Sequence, residues 1–199
     1  VTDGNGGTDT STLTLSMTAI NDTPVNTSPA SYTTNEDTSL KLSGLSIADV
    51  DAGSSNVTVT LSVASGTLTA ATGGSVTVSG SGSGTITLTG TVANINTYLG
   101  TVANQPTFAP VANANGTVVL TMTTNDGGNT GTDPGLTGTA TDERDIDTIN
   151  INVAAINDVP VDGDETNTVT EDTTLTVADG AAGDLLNNAT DADGNALTV

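Results

Sequence analysis

The residues of this chain that could do chemistry are carboxylates and carboxamides at recurring positions. Asn157-Asp158 is followed by Glu171-Asp172 and then by Asp191 and Asp193. If a folded domain gathers its loops at one end, these oxygens meet. Each carboxylate pair held at about 4 Å costs roughly 4 kcal/mol at an effective dielectric near 20. No Lys or Arg stands beside them in the sequence to offset that repulsion. A hard cation with a high coordination number removes the conflict. Ca2+ takes six to eight oxygens and accepts carboxylates, Asn side chains and backbone carbonyls. Mg2+ demands stricter octahedral geometry and keeps its waters. Zn2+ prefers nitrogen or sulfur ligands, and the chain has neither His nor Cys. The cofactor expected from the residues is therefore Ca2+.

Composition narrows the remaining classes. Two Lys+Arg face 23 Asp+Glu, for a net charge of −21. Such a surface repels nucleic acid and anionic membranes. No Cys means no disulfide and no thiolate metal site. No apolar run is long enough to span a bilayer as a helix. The acids are also banded: no charged residue stands between Ala52 and Asn125. A surface charged only for solubility scatters its charges along every strand. Banding places the carboxylates at the ends of elongated domains.

Internal repetition sets the expected domain boundaries. Ala19-Ile20-Asn21-Asp22-Thr23-Pro24 recurs as Ala155-Ile156-Asn157-Asp158-Val159-Pro160. Each copy closes an alternating apolar run, Leu13, Leu15, Met17, Ala19 in one and Ile149, Ile151, Val153, Ala155 in the other. That is the period of a half-buried strand, ended by a proline that cannot continue a central strand. Glu36-Asp37-Thr38 recurs as Glu171-Asp172-Thr173, and Asp49-Val50-Asp51 as Asp191-Ala192-Asp193. The period is too long for a solenoid and fits a whole domain in a tandem array. Residues 1–22 are thus expected to be the C-terminal end of one module, 23–158 a complete module, and 159–199 the opening of the next.

Short strands are expected at Leu40-Lys41-Leu42, from Val57 to Val63, around Val118, Leu120 and Met122, and from Ile149 to Ala155. Val76, Val78, Ile86 and Leu88 suggest a hairpin about Gly80-Ser81-Gly82-Ser83-Gly84. Ile95 and Leu99 stand four apart, which suggests one helical turn. Gly128 to Asp147 reads as a long acidic loop. Tyr98, Phe108, Met17 and Met122 are expected in the core. The fold class expected is all-β, an antiparallel sandwich of two sheets.

Rival chemistries fit less well. Paired carboxylates serve glycosidases, but a sugar cleft is normally lined with aromatics, and this chain has only Tyr32, Tyr98 and Phe108. It reads as no enzyme. Lys41 could form an isopeptide bond with an Asn or Asp, though a lone Lys more often guards a sheet edge. Asp191-Ala192-Asp193-Gly194-Asn195 opens like an EF-hand loop but has Ala196 where the turn glycine belongs.

The ordered set resembles a known family. Asn-Asp-x-Pro linkers, a Glu soon after them and Asp-x-Asp loops look like the calcium signature of cadherins. The finer pattern is Glu36-Asp37-Thr38-Ser39-Leu40, then Ala48-Asp49-Val50-Asp51-Ala52-Gly53, then Ile95-Asn96-Thr97-Tyr98-Leu99, then Asn125-Asp126-Gly127-Gly128. It is similar to the cadherin-like tandem repeats of very large bacterial surface adhesins of the RTX and biofilm type. The resemblance implies cadherin- or immunoglobulin-like modules, secretion through a type I system, an extracellular place on the cell surface, and a calcium-stiffened spacer role in adhesion and biofilm formation. The partners implied are neighbouring repeats of the same chain, with a glycan, protein or abiotic surface beyond them. The alternatives are a ligand-binding adhesive module, using the uncharged face between Val57 and Val119, or an accessory domain of a secreted enzyme. Carried over by position, Asn21, Asp22, Glu36, Asp49, Asp51 and Asp126 would be ligands at the first joint. Asn157, Asp158, Glu171, Asp191 and Asp193 would be ligands at the second. Cadherin linkers usually carry an acid where this chain has Ala19 and Ala155, and the Asp-Arg-Glu loop of cadherins has only Asp142-Glu143-Arg144-Asp145 as a partial counterpart. Fewer ions per joint are expected for that reason.

Overall fold

A computed structural model describes residues 1–129, 132, 143–181 and 183–199. Regular structure lies between Val25 and Ala154. In order it comprises β1 (Val25–Thr27), β2 (Ser31–Asn35), β3 (Leu40–Lys41), β4 (Ser46–Ala48), β5 (Asn56–Val63), β6 (Thr67–Thr69), β7 (Thr77–Ser79), β8 (Thr85–Thr91), α1 (Val92–Gly100), β9 (Thr107–Ala109), β10 (Gly116–Asn125) and β11 (Arg144–Ala154). The described chain is therefore all-β with one short helix.

Alternation decides which residues are buried. Val57, Val59 and Leu61 of β5, Ile86 and Leu88 of β8, Leu120 and Met122 of β10, and Ile149, Ile151 and Val153 of β11 all point to one core. The intervening threonines and asparagines face away, as period-two patterning requires. These strands belong to a six-stranded sheet of order β2-β11-β10-β5-β8-β7. Covering its apolar face are a three-stranded sheet, β3-β9-β6, a pair, β1-β4, and α1. They contribute Leu68, Phe108, Ile47, Ile95, Tyr98 and Leu99 to the same core. Burying an aliphatic or aromatic side chain of this kind stabilises the fold by about 1.5–3 kcal/mol.

Two local features follow from sequence chemistry. The hairpin β7-β8 forms with Val78 opposite Leu88. Its turn requires Gly80, at φ +75, where a Cβ would stand 2.3 Å from the Thr85 carbonyl oxygen. Helix α1 starts at Thr91, whose hydroxyl accepts from the Asn94 N–H at 3.2 Å, a normal N-cap. Ile95 and Leu99 are buried, as their four-residue spacing predicts.

The structure departs from expectation in four places. The large sheet is mixed, because β2 runs parallel to β11, with Ser31 opposite Asn150 and Asn35 opposite Ala154. The sheets number three among the described residues, not two. Strand β11 begins at Arg144, so the end of the expected Gly128–Asp147 loop is ladder, paired with β10 up to Asn125. The rest of that loop, apart from Gly128, Asn129, Thr132 and Glu143, lies outside the described residues. Finally, the alternating run Leu13 to Ala19 forms no strand. Leu13 is 85% and Met17 90% exposed, so Met17 is not core. Alternation selects a strand only where a sheet offers a face to bury against, and none of the described residues does so here.

The described residues of 159–199 form turns and one antiparallel bridge, Val161 to Thr190. Among the described residues, no helix is long and apolar enough to cross a membrane.

Candidate metal centre

The sheet delivers acids to two opposite ends. Strand β11 has 11 residues, which at about 3.3 Å each separates those ends by roughly 35 Å.

At one end, β2 and β11 finish side by side. Glu36 follows β2 directly and continues the parallel pairing, its N–H donating to the Ala154 carbonyl at 2.9 Å. Its side chain is 4% exposed. Glu36 Oε1 accepts the Ile156 N–H at 2.7 Å, so the residue that follows β2 holds the segment after β11 by a carboxylate. Two residues on, the Asp158 N–H donates to Asp193 Oδ2 at 2.6 Å. The same linker is thus gripped by an acid from the following segment. Glu36, Asp158 and Asp193 each offer a carboxylate oxygen within 4.8 Å of the others. Asp158 Oδ2 is shielded from solvent and has no hydrogen-bond donor. Burial, and then the charges of Asp193, Asp37, Glu36 and Asp191, push the Asp158 carboxyl above its ordinary 3.8.

Around this triad the loops are shaped by their own side chains. Asp191 Oδ1 accepts the N–H groups of Asp193 and Asn195, at 3.0 and 3.1 Å. Asn157 Nδ2 donates to the Asp158 carbonyl at 2.8 Å. Asp37 sits at φ 56 and accepts the Asn113 N–H at 3.0 Å. The chain's two cationic side chains are elsewhere: Lys41 donates to the Val102 carbonyl at 2.7 Å, and Arg144 opens β11 at the far end.

At that far end stand Asn21, Asp22, Asp49, Asp51 and Asp126. Asp126 is fully buried and fully engaged. Its Oδ1 accepts the N–H groups of Gly128 and Glu143, both at 2.9 Å, and its Oδ2 accepts from Asn21 Nδ2 at 2.5 Å. The Asp22 N–H donates to Asp51 Oδ2 at 2.9 Å. Asp49 Oδ1 accepts from the N–H groups of Asp51 and Ala52, at 3.1 and 2.9 Å. Asp49 Oδ2 and Asp51 Oδ1 are shielded and have no donor. Burial, and next the neighbouring Asp51 carboxyl, raise the Asp49 carboxyl above 3.8, against the pull of the two N–H donors.

The two ends therefore repeat one geometry. Asp22 is to Asp51 as Asp158 is to Asp193, and the Asp49-to-Asp51 turn matches Asp191 to Asp193. The glutamate segments repeat as well. Asp37 and Asp172 share a left-handed φ, 56 and 61, inside turns closed by Thr38 N–H to Asn35 and Thr173 N–H to Thr170 carbonyls.

The placement differs from the expected ligand sets at both glutamates. Glu36 gathers with Asp158 and Asp193, at the end where β11 finishes, and not with Asn21 and Asp22. Glu171 is exposed and stands outside the Asp158 group. The reason is topological: a residue just after β2 lies wherever β11 ends, because the two strands are parallel. Sequence reasoning also set aside Glu143, which is fully buried and accepts from the Thr23 hydroxyl at 3.4 Å. Asp142 lies outside the described residues. Chemically, the Glu36 end can take a hard divalent cation: three carboxylates converge, and an Asn side chain and backbone carbonyls lie beside them. No protein-family model matches this chain, and no curated protein matches it.

Proposed function

We propose that this chain is a calcium-binding spacer, a non-catalytic piece of a tandem array of cadherin-like β-sandwich modules in a large secreted bacterial adhesin. The observation that supports it most is the double grip on one linker. Ile156 is held by Glu36 from one module and Asp158 by Asp193 from the next segment, with three carboxylate oxygens within 4.8 Å. Without an ion, like charges crowd the joint and push its two sides apart. Ca2+ would convert that repulsion into a shared coordination sphere and straighten the joint. Extracellular modules bind Ca2+ with Kd around 10⁻⁴–10⁻³ M, so the joint would be filled at extracellular calcium levels and open inside the cell. This reading places the protein at the cell surface, exported by a type I system, with its neighbouring repeats as its first partners in adhesion and biofilm formation.

The test is small-angle scattering and thermal melting of the 199-residue chain in chelator and in millimolar calcium. The reading expects a longer maximum dimension and a higher melting temperature with calcium. Glu36→Gln keeps an acceptor for the Ile156 N–H and removes a charge. It should weaken calcium binding roughly tenfold, about 1.4 kcal/mol. Scattering curves and melts that ignore calcium would remove the spacer reading.

A further inference from the structure

The parallel pairing of β2 with β11 has a mechanical meaning that is independent of any ion. Among the described residues, β2 lies at an edge of the six-stranded sheet and its one neighbour is β11. It is the first strand of that sheet in the chain and β11 is the last. The chain reaches β2 from the Asp126 end: Asn26 in β1 donates its N–H to Asp145 Oδ2 at 2.7 Å and accepts from the Thr124 hydroxyl. It leaves β11 at the Glu36 end, through Ile156 to Asp158. A pull on the two flanks first loads the contacts of Asn21, Asp22 and β1, and once these yield it drags β2 toward one end of the sheet and β11 toward the other.

Hydrogen bonds of a parallel ladder lie across the strands, evenly spaced and slanted. A pull along the strands loads them side by side, and the pair yields only when several break together. Five residues of β2 are in register with β11. The Glu36 N–H to Ala154 carbonyl bond and the Ile156 N–H to Glu36 Oε1 bond extend the same seam past the last paired residue. Had the strands been antiparallel, the same pull would have opened the seam from one end, one bond at a time.

We infer that the β2–β11 seam, closed by the Glu36 side chain, is a shear clamp that makes module 23–158 a load-bearing element under tension applied through its ends. The clamp resists tension by strand direction alone and needs no cation.

The chain contains no cysteine, so paired cysteines give unique handles for single-molecule pulling of the full 199-residue chain. Ala30, Ser39 and Val159 are exposed, and handles there leave the core untouched. Ala30→Cys with Val159→Cys pulls the seam in shear. Ser39→Cys with Val159→Cys pulls both strands from the same end and peels it. Forced rupture follows the unfolding barrier along the pulled direction. The inference expects the shear pair to rupture at a several-fold higher force than the peel pair, in chelator and in calcium alike. Equal forces in the two geometries overturn it, as does a first rupture in shear that leaves β2 on β11. Because the comparison is made in chelator, loss of the spacer reading would leave this result standing, and the reverse also holds.

Discussion

Asp126 and Asp51 are both acids at the same end of the sheet, and their surroundings give them different work. Both oxygens of Asp126 accept from donors: two backbone N–H groups on Oδ1 and the Asn21 carboxamide on Oδ2. It ties β10 to the start of β11 and to the linker before β1, which is a structural task. Asp51 and Asp49 each keep one shielded oxygen without a donor, which suits a cation. Asp126→Ala would strand three donors in a buried site. At about 1–3 kcal/mol for each buried group left unpaired, the loss should reach about 3 kcal/mol or more in urea unfolding. A loss below about 1 kcal/mol would mean that the carboxylate is no latch. Glu36 combines both tasks, since its backbone extends the ladder and its side chain joins the triad.

Among the elements, β4 shows how a short strand is kept in place in a sheet of two strands. Among the described residues it pairs with the three of β1 and no other strand. On its other side, Asn96 of α1 acts as a piece of strand: its Oδ1 accepts the Ile47 N–H at 2.9 Å and its Nδ2 donates to the Ile47 carbonyl at 2.8 Å. This carboxamide fixes the path into Asp49 and Asp51. Asn96→Ala removes both bonds and should destabilise the fold by about 1–3 kcal/mol. The urea midpoint should drop at constant slope, since the overall surface exposed on unfolding is unchanged. If the stability is untouched, helix packing alone positions β4.

For the whole molecule, the decisive quantity is charge held at the ends of a long sheet. Of the acids whose carboxyls are shifted upward, Asp49 belongs to one end and Asp158 to the other. Both bind protons in the folded state more readily than an unfolded chain does. Unfolding stability therefore decreases as pH rises through the window that starts near 3.8 and ends at the raised values. This follows because the native state then holds the extra protons. In chelator, the melting temperature should decline as the pH is raised from the ordinary carboxyl value of 3.8 through the raised values of these two groups. Calcium should cancel or invert that slope, because a bound cation favours the ionised carboxylates. A slope that is the same with and without calcium would show that these acids hold no ion.

Much of this was legible from residue order. Alternation marked β5, β8, β10 and most of β11, because a strand with one buried face needs apolar side chains at every second position. The spacing of Ile95 and Leu99 marked α1, and Gly80 marked the hairpin turn. The recurrence of Asn-Asp, Glu-Asp and Asp-x-Asp marked the two acidic ends, since loop ligands must come from the chain itself. What the linear chain could not carry was pairing between distant segments. The run from Leu13 to Met17 has a strand's period but, among the described residues, no face to bury against, so period alone misplaced Met17 in a core. Whether Glu36 stands at the end where β11 begins or the end where it finishes depends on whether β2 lies parallel or antiparallel to β11. That choice is made by the packing of the whole sheet. Local sequence supplied the oxygens and their spacing. The direction of one edge strand decided which of them meet.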